Sequence, residues 1–214
     1  MTKTLTTAVG GAALALLTVA LPAAANEQLR FQVFLDDRPI GEHSFRITGD
    51  GDLKRVSSRA AFDVDFLFIN AYRYRHSSQE VFRDGCLTEI SASTDDNGKR
   101  LRVDGVADGD GLRIEKPDGV ERAEGCVMTF AYWDPRFLDQ SRLLNPQTGD
   151  LEPVRVQRKG NDRIETAGGR AVPAERYALS TGELTIDLWY NDDLGWVGLE
   201  SDTGKGRRII YRRM

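Results

Sequence analysis

The chain has 214 residues, with 29 basic and 33 acidic side chains and a formal net charge of −4. The charges are interspersed, so no basic stripe is available to follow a phosphate backbone, and the composition argues against nucleic-acid binding. With only 2 histidines and 2 cysteines there is little material for a metal centre or for thiol chemistry.

Residues 1–25 read as a secretory signal peptide. Lys3 supplies the positive start, Ala8 to Leu21 is apolar, and Pro22-Ala23-Ala24-Ala25 offers small residues for a signal peptidase, which predicts cleavage before Asn26. The apolar run is too short for a comfortable membrane span, and no cysteine follows it to carry a lipid. The expected location is therefore periplasmic or secreted, with residues 26–214 as a single β-rich domain long enough to bury one core and without a further membrane segment.

Next come the elements. Leu29, Phe31, Val33 and Leu35 alternate with polar residues, a half-buried strand. Asp37 to Gly41 turns it into a second strand carrying His43, Phe45 and Ile47, and Gly49-Asp50-Gly51-Asp52 is the next turn. A long third strand sets Val56, Ser58, Ala60, Phe62, Val64 and Phe66 on one face. A fourth runs through Phe68, Tyr72, Tyr74, His76 and Phe82. Cys86 to Thr94 and Arg100 to Val106 form a hairpin around Asn97-Gly98, a pair suited to a type I′ turn. Leu112 to Glu115 and the turn at Pro117-Asp118-Gly119 lead into Cys126–Gly149, the one stretch that reads as helical. There Asp134 is placed to cap, Pro135 to occupy the first helical position, and Asn145-Pro146 to stop the helix. Strands near 151–158, 162–166, 171–179, 183–190, 196–201 and 207–212 follow. The last of these is flanked by Arg207, Arg208, Arg212 and Arg213, as a charged edge strand would be.

The predicted fold class is all-β with one short helix. Long antiparallel strands form a curved sheet or half-open barrel that packs on the helix, because sheet twist accumulates and closure removes edges. Such a sheet, curled over a plug, leaves room for a pocket.

Cys86 and Cys126 are an even pair in a chain bound for an oxidising compartment, which predicts a disulfide. They lack the Cys-X-X-Cys spacing of a redox pair. His43 and His76 would need a carboxylate such as Glu42, Asp63 or Glu80 to hold a metal, and no close-spaced ligand motif supports one, so neither metal nor cofactor is expected. The acidic Asp-Gly turns lack the further spaced ligands of a calcium loop. There is no G-x-S-x-G elbow and no phosphate-binding glycine loop, and no catalytic residue can be named. Tyr72, Tyr74 and His76 share one strand face, a row of rings with polar tips. With Tyr132, Trp133 and Phe137 near the plug they are the candidate ligand wall; the competing reading is a core stripe.

The strings FLFINAYRYRH (66–76), TDDNGKRL (94–101), CVMTFAYWDP (126–135), RLLNPQTG (142–149) and IDLWYNDD (186–193) resemble the bacterial family called domain of unknown function 6134. The resemblance covers essentially the whole of residues 26–214. It implies an exported protein and supplies no activity, cofactor or catalytic residue. At the level of fold alone, the I-D-L-W-Y strand followed by the turn at 191–193 is similar to curved-sheet envelope proteins, including the periplasmic lipoprotein carriers. Two functional readings follow: a non-enzymatic binding or carrier module for a lipid-like, apolar or amphipathic small molecule, and an envelope hydrolase or other enzyme whose site is assembled from distant strands. A scaffold that only contacts other envelope proteins is the third. Oligomeric state and protein partners leave no trace in the sequence.

Overall fold

The computed structural model describes residues 25–66, 69–182, 184–203 and 206–214, with the side chains of residues 65–71 left out. The expected signal peptide lies outside the described residues except for Ala25, which opens the first strand. Eight strands follow one another as an antiparallel meander: β1 (Ala25–Leu35), β2 (Arg38–Gly49), β3 (Leu53–Phe66), β4 (Ile69–Arg83), β5 (Cys86–Asp96), β6 (Lys99–Asp108), β7 (Gly111–Lys116) and β8 (Gly119–Glu124). Asn97 and Gly98, joining β5 to β6, both have positive φ (51° and 95°), as a type I′ turn requires. A short hairpin comes next, β9 (Arg142–Leu144) with β10 (Leu151–Pro153). A second meander ends the chain: β11 (Arg155–Glu165), β12 (Ala171–Thr181), β13 (Leu184–Asn191), β14 (Gly195–Asp202) and β15 (Arg208–Arg213).

The two meanders are one sheet. β1 pairs antiparallel with β15, from Phe31 opposite Arg213 to Leu35 opposite Ile209, giving 13 strands in the order β11-β12-β13-β14-β15-β1-β2-β3-β4-β5-β6-β7-β8. The ends β11 and β8 do not pair with each other, so the barrel is open. Both edges carry charge, with Arg155, Arg158 and Lys159 on one and Arg122 and Glu124 on the other, which discourages pairing with a second chain. β15 is an interior strand and not the expected edge. Its arginines are held by Asp36, Glu200 and Glu165 and by the Leu194 and Trp196 carbonyls.

Curvature follows from which residues meet. β12 and β4 are seven places apart in the strand order, about 34 Å in a flat sheet. Yet Thr181 of β12 and Tyr74 of β4 line the same cavity, so the sheet curls. One face is largely apolar: Leu29, Phe31, Phe82, Val103, Leu112, Ile114, Leu188 and Trp196 are each 2% exposed or less. Burying each large apolar side chain contributes roughly 1.5–3 kcal/mol. A smaller cluster of Ile164, Val172, Ala174, Trp189 and Val197 covers part of the convex face. There a Cβ on Gly198 would meet Ile164 Cδ1 at 2.2 Å and the Tyr211 carbonyl oxygen at 3.0 Å, so glycine lets the β11 side chain lie close against β14.

The predicted helix within 126–149 is corrected. Asp134 does cap, accepting from the Arg136 amide at 3.1 Å, and Pro135 does open a turn, but the turn is a five-residue 3₁₀ helix, Pro135–Asp139. Phe137 and Leu144 are seven apart, but Gln140 and Ser141, the positions three and four after Phe137, are polar and leave a helix no continuous apolar stripe. The flanking backbone bonds to strands instead, with Leu87 N donating to Val127 O at 2.8 Å and Leu144 N to Met128 O at 2.8 Å. What packs inside the sheet is an extended strap, residues 126–154, and not a helix.

A disulfide, Cys86–Cys126, fastens the start of that strap to β5 across a sequence separation of 40. Constraining a loop of that length in the unfolded chain contributes about 4 kcal/mol on a chain-entropy view. Replacing both cysteines by alanine should therefore lower stability by about 2–4 kcal/mol in a urea titration, and a loss under 1 kcal/mol would show that the strap is held by packing alone.

Candidate functional site

The strap divides the concave interior. Val127, Met128, Phe137, Leu143 and Leu144 turn into the packed half and are 4% exposed or less. Phe130, Tyr132, Trp133, Asn145, Pro146 and Gln147 face a second half that is left open, a cavity of about 740 Å³. The strap is anchored on both sides of the curl: Thr129 Oγ1 donates to Glu80 of β4 at 2.9 Å, and the Tyr190 hydroxyl of β13 donates to Tyr132 O at 2.7 Å.

Period-two alternation supplies the rest of the wall. Phe45 (β2), Val56 and Phe62 (β3), Tyr74 and His76 (β4), Ile186 (β13), Leu199 (β14) and Tyr211 (β15) all point inward. Register decides the neighbours. His43, Ala60, His76 and Thr94 are directly opposite one another across β2–β5, and Phe45, Ser58 and Ser78 form the adjoining row.

Of the six residues expected at a ligand wall, Tyr72, Tyr74, His76, Tyr132 and Trp133 line this cavity. Phe137 lies behind them, fully buried, with its ring edge-on to Tyr132 at 5.5 Å. Sequence reasoning missed His43, Ser58, Glu80, Thr129 and Tyr211 as members of the same site. A trace was legible, since Ser58, Ser78 and Glu80 occupy inward positions on strands whose other inward positions are largely apolar.

The polar groups are buried and partnered. His43 Nε2 is 2.7 Å from Ser58 Oγ and its Nδ1 is 3.3 Å from the Tyr211 hydroxyl; His76 Nδ1 is 2.9 Å from Thr94 Oγ1. Burial pushes His43 from 6.5 down to about 3, with nearby His76 adding to the effect, and pushes His76 down to about 4. Both imidazoles are therefore neutral at ordinary pH. Glu80 accepts from Ser78 Oγ at 2.6 Å and from Thr129 Oγ1 at 2.9 Å; burial raises its pKa and the two hydroxyls only partly offset that. Burial also raises Tyr74, Tyr132 and Tyr211, and takes Tyr72 to about 12 with Asp96 contributing. Among the described residues no group of three or more His, Cys, Asp or Glu is placed to hold a metal ion. A smaller depression of about 450 Å³ on the convex face is lined by charged side chains such as Arg55, Glu89, Asp104 and Arg113 and is open to water.

The profile of the family described as "Domain of unknown function (DUF6134)" matches residues 31–214 of the 214. The chain belongs to the DUF6134 family. No curated protein matches it in sequence. Among solved structures, the beta-barrel-like protein of domain of unknown function DUF1849 from Brucella abortus aligns with a TM-score of 0.63 at 10% identity, covering 88% of this chain and 95% of that one. At that identity the likeness concerns fold alone, and it agrees with the open, curled sheet described above for this DUF6134 member.

Depressed imidazoles mean that the folded state binds fewer protons than the unfolded one. Their contribution is intact above about pH 6.5 and is lost as pH falls toward 4 and then 3. Proton NMR of the two histidine rings should show no titration between pH 5 and 8; a midpoint near 6.5 for either would mean that the cavity wall is solvated. Glu80 works in the opposite sense, because its raised pKa costs stability as pH rises above the ordinary carboxyl value of 4.5. Glu80→Gln, which keeps the shape and can still pair with Ser78 and Thr129, should be more stable than wild type at pH 8 and no different at pH 4. Thermal melts at the two pH values check this.

Proposed function

We propose that this protein is a non-enzymatic binding or carrier module, exported by its signal peptide to the periplasm or beyond, that holds an apolar or amphipathic small molecule inside the curled sheet. The observation that carries the reading is the open cavity of about 740 Å³. It is the size of small-molecule sites, roughly 300–1,000 Å³, and shares their make-up of apolar and aromatic walls with a few placed polar groups. A core built for stability alone would fill that space, since an unfilled apolar void costs stability in proportion to its volume. The disulfide suits an oxidising compartment. Among the described residues no helix is long and apolar enough to cross a membrane.

A hydrolase is the second reading, and one contact favours it: Ser58 Oγ and His43 Nε2 are 2.7 Å apart, within reach for a nucleophile and its base. Acyl transfer also needs backbone or side-chain donors aimed at the developing oxyanion. Around Ser58 the β2–β3 and β3–β4 ladders run without a register shift, so the amides that would serve are already committed to the sheet. The pair is better read as a satisfied buried hydrogen bond.

The two tryptophans nearest the site separate binding from packing. Trp196 is 2% exposed and its ring lies 4.1 Å from that of Phe31, so Trp196→Ala should cost about 3–5 kcal/mol. Trp133 lines the cavity, and Trp133→Ala should weaken binding of a lipid-like fluorescent probe about tenfold, equivalent to one lost aromatic contact, with a smaller effect on the melting temperature. Native mass spectrometry of protein purified from the periplasm should show a retained small molecule. Wild-type protein that carries none and binds no amphipathic probe would leave the cavity without a role and end the proposal.

A further inference from the structure

Exposure falls along the cavity wall in step with a change of chemistry. The inward residues of β4, taken from the mouth, are Tyr72, Tyr74, His76, Ser78 and Glu80; Tyr72 is 37% exposed, His76 7%, Ser78 2% and Glu80 6%. From Tyr72 to Glu80 is about 27 Å of strand. On β3, Val64 and Phe62 lie toward the mouth and Ser58 sits deeper, opposite Ser78, before Val56 ends the row opposite Glu80. Leu184, 38% exposed, and Ile40 extend the apolar mouth on the far side. The wall thus carries its hydrogen-bonding groups His43, Ser58, His76, Ser78, Glu80 and Thr129 in the interior, between apolar residues such as Phe45 and Val56, and opens past Val64, Tyr72 and Leu184. That is the reverse of a pocket built to swallow a hydrocarbon tail and leave a head in water.

The deep belt has hydrogen-bonding capacity to spare. His76 uses Nδ1 on Thr94, and its Nε2 has no partner among the described residues; the Tyr74 and Tyr132 hydroxyls are likewise open. What the belt lacks is a free charge of either sign. Among the described residues the one Arg or Lys in the lining is Arg207, which is exposed at the mouth and donates to Asp36 at 2.9 Å. Glu152 already accepts from Asn145 and Thr181, and Glu80 from Ser78 and Thr129. An anionic head would be buried beside carboxyl groups with no counter-cation. A cationic head would be desolvated beside the buried His43 and His76 rings, and the carboxyl groups of Glu80 and Glu152 that could face it already accept two hydrogen bonds each.

Resting on the binding reading above, we infer that the ligand is an uncharged amphiphile, such as a monoacylglycerol or a long-chain alcohol or amide. It enters polar end first, with its hydrogen-bonding head on the His76 belt and its chain leaving through the Tyr72–Leu184 mouth. A head lodged in the interior must be small, whereas a chain that leads outward is free to vary in length.

Four probes sharing a ten-carbon chain test this by calorimetry or probe displacement below their critical micelle concentrations: 1-decanoylglycerol, decanoate, decylamine and decyl maltoside. Decanoylglycerol should bind at least about tenfold more tightly than each of the others, the equivalent of one uncompensated charge or one excluded head. Lengthening its acyl chain by four carbons should leave binding intact. His76→Phe, checked for an intact disulfide and native circular dichroism, should lose about tenfold for decanoylglycerol, the worth of one buried hydrogen bond. Equal or tighter binding of decanoate, decylamine or the maltoside overturns the inference while leaving a binding module in place. Absence of binding by all four removes the binding module as well.

Discussion

The pairing of β1 with β15 is the constraint on which the architecture depends. Each meander alone would be an ordinary twisted sheet with two free edges and one unburied apolar face. Joined edge to edge, they become a sheet of 13 strands whose accumulated twist brings the two apolar faces around toward each other. Phe31 shows the effect at the seam. It is fully buried and in ring contact with Phe45 of β2, Trp196 of β14 and Tyr211 of β15, so both meanders meet on one side chain of the first strand. Asp36 reinforces the junction by accepting from the Arg208 amide and from the Arg207 side chain.

A sheet of that length encloses more space than its own side chains fill, and the strap between β8 and β11 occupies part of it. Its position is set by three kinds of contact. The disulfide and the Leu87–Val127 backbone bond hold its start, Phe137, Leu143 and Leu144 bury in the core, and Thr129 and Tyr132 are tied to opposite walls. Where the strap turns its aromatic residues the other way, the interior stays open. The cavity is therefore a consequence of chain routing as much as of wall composition, and the groups that give it chemical character come from β2, β3, β4, β15 and the strap at once. The fold-level likeness to the beta-barrel-like DUF1849 protein from Brucella abortus shows that a similar fold is adopted by a sequence sharing only 10% identity. The enclosing architecture is thus less particular than the side chains that line it.

The sequence by itself determined the all-β class, most strands of the two meanders and the Asn97-Gly98 turn, but it divided β11 into strands near 151–158 and 162–166 and gave no strand at β8 or β9. It also made Cys86 and Cys126 the only cysteines available to bridge. These features rest on local chemistry: period-two alternation, turn residues that tolerate positive φ, and parity of cysteines. The row Tyr72, Tyr74, His76 was legible for the same reason, because residues two apart on a strand share a face. The strap was misread as helical because Asp134-Pro135 does start a turn, and a start signal carries no information about how far the turn continues. Only the tertiary structure decided that β15 is interior, that the barrel stays open, and that His43, Ser58, Glu80, Thr129 and Tyr211 converge on one cavity. Those outcomes depend on strand register and on pairing between β1 and β15, some 180 residues apart in the chain, and nothing in the local pattern of either strand encodes the identity of its partner.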